Sequence, residues 1–271
     1  FWGVTGGCID PMVANRTASG KPRRSDDYTP GGINNKRPDR AVIAYSNLIR
    51  SHVKSRTPIV LGGLEASLRR IAHYDYWSNK IRKSILFDSK ADYLLYSMAE
   101  DSVVELSRHL KKGLDCQNIR GLCYISKTRP ETGIELPCFE TVQTDIIAFN
   151  EMFNIFYRNN DPLTAQTLFQ KQDTRYLVQN PPQPYPTQKR LDEIHAFGYI
   201  RDAHPFYLKD GPVKALETIR FSILTHRGCY GECSFCSIAV HQGRTVQSRS
   251  KASILNEVKA ITTHPLFKGS I

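Results

Sequence analysis

The chain has 271 residues, 40% of them hydrophobic and 10% aromatic, enough apolar material to give one large or two ordinary domains a packed core. No run of about twenty apolar residues is present to span a membrane, and the opening Phe1-Trp-Gly-Val-Thr-Gly-Gly lacks the basic region of a signal peptide. The formal charge of +11 points to a nucleic-acid partner, an acidic substrate or solvated basic faces, and the basic residues are spread out rather than gathered in a block.

Residues 1–7 read as a buried strand ending in Gly6-Gly7. The strand is already under way at Phe1, so the chain is expected to begin inside a domain. Residues 16–38 are polar, basic and turn-rich, a long loop of the kind that is functional or mobile. Its Arg23, Arg24, Lys36 and Arg37 are candidates for phosphate contact, against the plainer reading of a solvated insertion. Asp39 is placed to cap a helix with Val42, Ile43, Leu48 and Ile49 loosely on one face. Pro58–Gly63 is a short apolar run ending in paired glycines. Strand-then-glycine between helices is the grammar of an open parallel α/β sheet, where ligands bind beyond the strand ends. The glycine pair fits a phosphate cradle or close backbone packing equally well.

Between Glu65 and Trp77 the aromatics read as packing. His73 and Asp75 lie two apart and would not share a helix face, so His73 reads as a hydrogen-bonded structural residue. Ala91–Tyr96 is a strand, Met98–Asp101 a turn, Ser102–Lys112 an amphipathic helix closed by Gly113, and Arg120–Ile125 another strand. From Glu140 to Tyr157, Val142, Ile146, Phe149, Phe153 and Phe156 recur at spacings of four and three, the packing face of a helix. Arg175–Gln179 reads as a strand, Asn180–Pro186 as a stiff extended stretch suited to linking domains, and Leu191–Phe197 as a short helix. A strand over Thr218–Leu224 is expected to deliver the next loop at its C-terminal end, where active sites sit in barrel and open-sheet α/β folds. Ser250 is placed to cap a helix over Ala252–Ile261 with Glu257 and Lys259 on its polar side, and Phe267–Ile271 reads as the start of a second strand.

The loop after Leu224 carries the chemistry: Thr225-His-Arg-Gly-Cys229-Tyr-Gly-Glu-Cys233-Ser-Phe-Cys236. Glycines at 228 and 231 let a short loop curl back on itself. Three thiolates pointing into one cavity bind a metal centre. A four-iron cubane normally takes four cysteines, so three leave one iron open to bind a small molecule directly. Zinc competes, with His226 or His241 as fourth ligand, although zinc modules usually space their ligands as two separated pairs. A disulfide fits poorly with an odd count of seven cysteines and no secretory segment. A ferredoxin-type carrier would want a fourth nearby cysteine, whereas Cys116, Cys123 and Cys138 lie far upstream and read as buried small hydrophobes. Thiolates needed for iron place the protein in the reducing cytoplasm.

The C-x3-C-x2-C spacing, with Phe235 just before the last cysteine, resembles the signature of the radical S-adenosylmethionine (radical SAM) superfamily. The resemblance implies a 4Fe-4S cluster on Cys229, Cys233 and Cys236. Its open iron would be chelated by S-adenosylmethionine, and one electron would break the sulfonium bond to release a 5′-deoxyadenosyl radical. An electron donor such as a flavodoxin or ferredoxin is implied too. Phe235 matches the aromatic position that lies against the adenine, and no catalytic residue is assigned. With Phe1–Gly6, Arg23–Gly32, Arg37–Arg40, Pro58–Arg70, His73–Trp77, Asp173–Pro186 and Arg227–Ser250, nearly the whole chain resembles the YgiQ family of radical SAM proteins.

That resemblance implies an α/β fold: a Rossmann-like, cobalamin-binding-like parallel-sheet domain over 1–135, a helical and extended connection over 136–212, and over 213–271 the first βα unit of a radical SAM partial barrel, truncated at both ends. The Pro58–Gly63 strand, the Ala91–Tyr96 strand and Glu100 follow the cobalamin-domain plan, but no cobalamin-ligand histidine motif accompanies them. An open barrel of about six strand–helix units needs roughly 200 residues, and 35 follow Cys236. The expectation is therefore a fragment of an enzyme, inactive alone, whose full-length parent is active. The substrate is left as a small molecule or RNA. The stretch from Gly243-Arg244 to Ser248-Arg-Ser250 resembles a loop of radical methylthiotransferases that act on tRNA, and the charge agrees. The alternative is a non-catalytic nucleic-acid-binding protein stabilised by zinc or an iron–sulfur cluster.

Overall fold

The computed structural model describes residues 1–271. In chain order its elements are β1 (Trp2–Thr5), α1 (Pro11–Asn15), α2 (Ala41–His52), β2 (Ile59–Gly62), α3 (Gly63–Leu68), β3 (His73–Asp75), β4 (Lys80–Arg82), α4 (Ile85–Ser89), β5 (Tyr93–Leu95), α5 (Glu100–Lys112) and β6 (Leu122–Ser126). There follow β7 (Ile134–Leu136), α6 (Phe139–Thr144), α7 (Ile146–Arg158), β8 (Leu168–Gln172), β9 (Arg175–Gln179), α8 (Gln188–His195), α9 (Leu216–Ile219), β10 (His226–Arg227), α10 (Ile238–Gln242), β11 (Gln247–Ser248) and α11 (Lys251–Thr262). No helix is long and apolar enough to cross a membrane. The chain divides into two compact units, the first of residues 1–12, 38–184 and 231–244, the second of 13–37, 185–230 and 245–271.

The first unit is built on a seven-stranded sheet in the order β1-β2-β5-β6-β9-β8-β7. β1, β2 and β5 run parallel, the Rossmann-like half that the Pro58–Gly63 and Ala91–Tyr96 runs predicted. β6, β9 and β8 continue it antiparallel, and β7 closes it parallel to β8. The fold class is α/β as expected, with strands β8 and β9 of the 136–212 segment paired into the same sheet as β1 and β2. Alternation along β2 covers both faces: Ile59 and Leu61 enter one core with Leu94, Phe156 and Leu177, while Val60 joins Leu95, Leu106 and Leu122 on the other side.

Asp39 does not cap α2; the preceding residue is Arg40, with no side-chain cap, and the Glu65 carboxylate accepts from the Val42 N–H instead (3.1 Å). The Glu140–Tyr157 helix is two helices. Asp145 leaves helical geometry (φ −117°, ψ 113°) and its carboxylate accepts from the Ile147 N–H, so α7 starts afresh and Ile146 is 69% exposed. Glu100 and Asp101, read as a turn, form the first turn of α5, which ends as expected at Gly113 (φ +65°). Cys116 and Cys123 are buried, but Cys138 is only half-buried, at the start of α6.

In the second unit, loop 13–37 is held by its own ion pairs. Buried Asp26 accepts from the Thr29 hydroxyl (2.7 Å) and pairs with Arg37 (3.0 Å), and Lys36 pairs with Asp210 (2.9 Å). Two of its phosphate-contact candidates are thus structural cations. The strand expected over Thr218–Leu224 is absent. The backbone there satisfies itself locally instead: Ile219 N–H bonds the Ala215 carbonyl, and the Thr218 hydroxyl donates to the same oxygen. Phe267–Ile271 is likewise not a strand. The α11 expectation holds, with Ser250 accepting from the Ser253 N–H (3.1 Å).

Candidate metal centre

The cysteine segment leaves β10, which pairs antiparallel with β11 (His226 opposite Ser248) in the second unit. Gly228 takes the left-handed conformation (φ +82°) just before Cys229, as the sequence required of a curling loop. In the first unit, Glu232 is also left-handed (φ +45°) and the Cys236 N–H donates to the Cys233 carbonyl (2.9 Å), a tight turn that brings these two residues together. Cys233 is exposed, Cys229 and Cys236 are half-buried, and none of the three is in a disulfide. Phe235 is 89% exposed. No group of three or more Cys, His, Asp or Glu side chains is placed to hold a metal ion. The fit to an iron–sulfur cluster therefore rests on donor chemistry, three thiols within eight residues. The two histidines considered for zinc have hydroxyl partners: His226 Nδ1 meets Thr225 Oγ1 (2.9 Å) and His241 Nδ1 meets Ser67 Oγ (3.0 Å).

Within the first unit, the segment carrying Cys233 and Cys236 runs into α10, which packs on α3. Besides His241–Ser67, the Asn160 amide donates to the Val240 carbonyl (2.8 Å). Arg244 closes the segment: it pairs with Glu232, donates to the Tyr157 carbonyl (3.0 Å), and lies over the Tyr157 ring at 4.3 Å. Beneath this, Arg70 is fully buried between the rings of Tyr96 (4.3 Å) and Phe156 (4.4 Å). It donates to Gln179 Oε1 (2.9 Å), Asn160 Oδ1 (2.8 Å) and the Ser67 carbonyl. Burial pushes its pKa below the usual arginine value.

The C-terminal ends of β1 and β2 hold a second charged group, in the Glu65–Trp77 stretch of which the sequence reading weighed only His73 and Asp75. Glu65, 3% exposed, has its pKa raised to about 7, chiefly by burial and in part by nearby Asp10; the Val42 N–H, Arg69 and Arg40 work the other way. A Cβ on Gly6 would lie 2.3 Å from Glu65 Oε2, so close backbone packing against this carboxyl accounts for that glycine. Arg69 pairs with Asp10, and Arg40 pairs with Asp75 (2.5 Å). His73 bonds the Ile71 carbonyl through Nδ1 (3.2 Å), and burial first, then Arg69, lower its pKa to about 4. The signal for this group was the run Glu65-Ala-Ser-Leu-Arg-Arg70, three charges within six residues of an apolar strand. In the second unit, a cavity of about 650 Å³ lies between α8 and α11, lined by Asp192, His195, Tyr199 and Glu257 among others and by none of the cysteines.

A family described as Radical SAM N-terminal matches residues 1–222, ending short of Cys229. A UPF0313 protein of Fusobacterium nucleatum is 55% identical over 272 aligned positions, covering 100% of this chain and 48% of its own length. UPF0313 proteins of Thermotoga maritima (50% identical, 100% and 48% covered) and Clostridium botulinum (48% identical, 99% and 42% covered) are similar. The chain thus spans about half the length of the curated relatives it matches. Among solved structures, a radical S-adenosylmethionine methyltransferase, TsrM, from Kitasatospora setae, with tryptophan and a SAM analogue bound, aligns at 17% identity and a TM-score of 0.43, over 96% of this chain and 34% of that one.

Proposed function

The chain belongs to the Radical SAM N-terminal family and, with the UPF0313 proteins, to the YgiQ-type radical SAM group, and from that premise we propose that the full-length protein is a radical SAM enzyme. Cys229, Cys233 and Cys236 are its proposed cluster ligands, and Phe235 its contact to the adenine of S-adenosylmethionine. When bound, a 4Fe-4S cluster supplies the electron that cleaves S-adenosylmethionine. The chain's own part is to present three thiolates and an exposed aromatic on one short loop. The single observation that carries this reading is the three-cysteine segment itself, none of it tied up in a disulfide. The net charge of +11 supports RNA as the substrate class to test first, beside a small molecule. The proposed electron donor is a flavodoxin or ferredoxin and the proposed compartment the reducing cytoplasm. Activity is assigned to the full-length protein, not to these 271 residues alone.

The test is anaerobic reconstitution of the full-length protein with iron and sulfide. The expected content is about four irons per chain, with 5′-deoxyadenosine formed on reduction. Alanine at Cys229, Cys233 or Cys236 should abolish both, and alanine at buried Cys123 should abolish neither. Tightly held zinc and salt-sensitive RNA binding without nucleoside release would establish the non-catalytic binder instead.

A further inference from the structure

We propose that Arg70 is a positioning residue that fixes the segment bearing Cys233 and Cys236 against the sheet, acting through Asn160 and Ser67. Arg70 is fully buried and forms no salt bridge, so its charge is met only by two aromatic faces and neutral acceptors. A buried cation without a carboxylate is an expensive way to fill space, and an apolar side chain of similar volume would do that at less cost. What such a side chain lacks is the planar fork, which reaches three separate acceptors at once.

Two of those acceptors are relays. Asn160, itself buried, takes a hydrogen bond from Arg70 on Oδ1 and passes one to the Val240 carbonyl from Nδ2. Ser67, also buried, takes one on its carbonyl, and its hydroxyl meets His241 Nδ1. Both relays end on α10, which begins two residues after Cys236. The third bond, to Gln179, anchors the fork to β9 of the sheet. One guanidinium thereby ties the sheet, the end of α7 and the cysteine-bearing segment together, and the freedom of Cys233 and Cys236 is set from the buried side.

The consequence for metal retention rests on the cluster reading above; the consequence for backbone mobility does not. The test uses the full-length protein and the variant N160D. Aspartate keeps the acceptor that Arg70 needs but removes the donor to Val240 and sets an oxygen against that carbonyl. Amide exchange across 238–244 should then speed up about tenfold, the worth of one buried hydrogen bond, while exchange in β2 and β5 stays as in the wild type. Reconstituted N160D should also lose iron to a chelator faster than the wild type. R70K, which keeps the charge without the fork, should match N160D in both readouts.

Wild-type exchange at 238–244 in either variant would overturn the proposal, and so would an increase spread evenly over the whole sheet. A wild type that takes up no iron would remove the cluster reading, and the exchange data alone would then decide the role of Arg70.

Discussion

Replacing Glu65 with glutamine should turn a nearly level pH dependence of stability into a rising one. Glu65 and His73 sit in one buried charged group, and their pKa values are displaced in opposite directions, from 4.5 to about 7 and from 6.5 to about 4. A raised carboxyl favours the folded state at low pH, and that stability is lost as pH climbs from about 4.5 to 7. A lowered imidazole works in the opposite sense: the unfolded chain takes up a proton below about 6.5, so stability is lost as pH falls from there towards 4. Each displacement corresponds to about 3 kcal/mol over its window. The two slopes oppose one another between pH 4.5 and 6.5, and the wild type should be nearly level there. Glutamine keeps an oxygen for the Val42 N–H and cannot ionise. E65Q should therefore match the wild type near pH 4.5, gain about 3 kcal/mol by pH 6.5 as the His73 slope is uncovered, and remain that much more stable than the wild type at pH 7.5. Both tryptophans, Trp2 and Trp77, lie in the first unit, so fluorescence-detected urea unfolding reports on it. A constant difference between E65Q and wild type across this range would refute the reasoning, because it would mean that Glu65 does not titrate there.

Gly6→Ala places a methyl 2.3 Å from Glu65 Oε2 and should cost about 1–3 kcal/mol in the same assay; adding E65A should recover part of that loss. In the second unit, buried Arg249 pairs with Glu257 and donates to the Leu224 carbonyl (2.9 Å). Arg249→Met should cost about 3 kcal/mol, seen as faster protease cleavage within residues 245–262, and unchanged cleavage would show that the bond to Leu224 does not hold the start of the cysteine loop.

The parallel half of the sheet was legible because its strands are what the pattern describes: Ile59-Val60-Leu61 is an unbroken apolar run ended by glycine, buried on both faces. β8 was not. Its Leu168-Phe-Gln-Lys-Gln172 reads as polar, yet Gln170 and Gln172 are buried, the first accepting from the Ala72 N–H (3.0 Å) and the second from the Ser84 N–H (3.0 Å). Amides that serve as hydrogen-bond partners for distant backbone carry no periodic signal. The split at Asp145 was missed for a related reason: the apolar spacing of four and three continues straight across a residue whose side chain caps a new helix. In the cysteine segment, residue type and spacing named the candidate ligands, whereas the residues that hold the segment, Ser67, Arg70 and Asn160, lie far upstream of Cys229, where single-sequence reading has no means of joining them to it.

Folded domains are stable by only about 5–15 kcal/mol, which makes the region around α3 informative. Within six residues the chain buries Glu65 and Arg70 and largely buries Arg69, although apolar side chains there would give a more stable sheet. Glu65 has a local use, since it caps α2 from a distance, and Arg69 has one in Asp10. Neither explanation extends to Arg70, which caps nothing and pairs with no carboxylate. Its bonds lead instead to the two residues that touch α10, so the group that looks least affordable for the sheet is the one whose removal would be felt at Cys233 and Cys236. If N160D leaves that segment as well protected from exchange as before, Arg70 serves the sheet alone, through Gln179 and its packing between Tyr96 and Phe156, and R70M should then leave exchange at 238–244 unchanged.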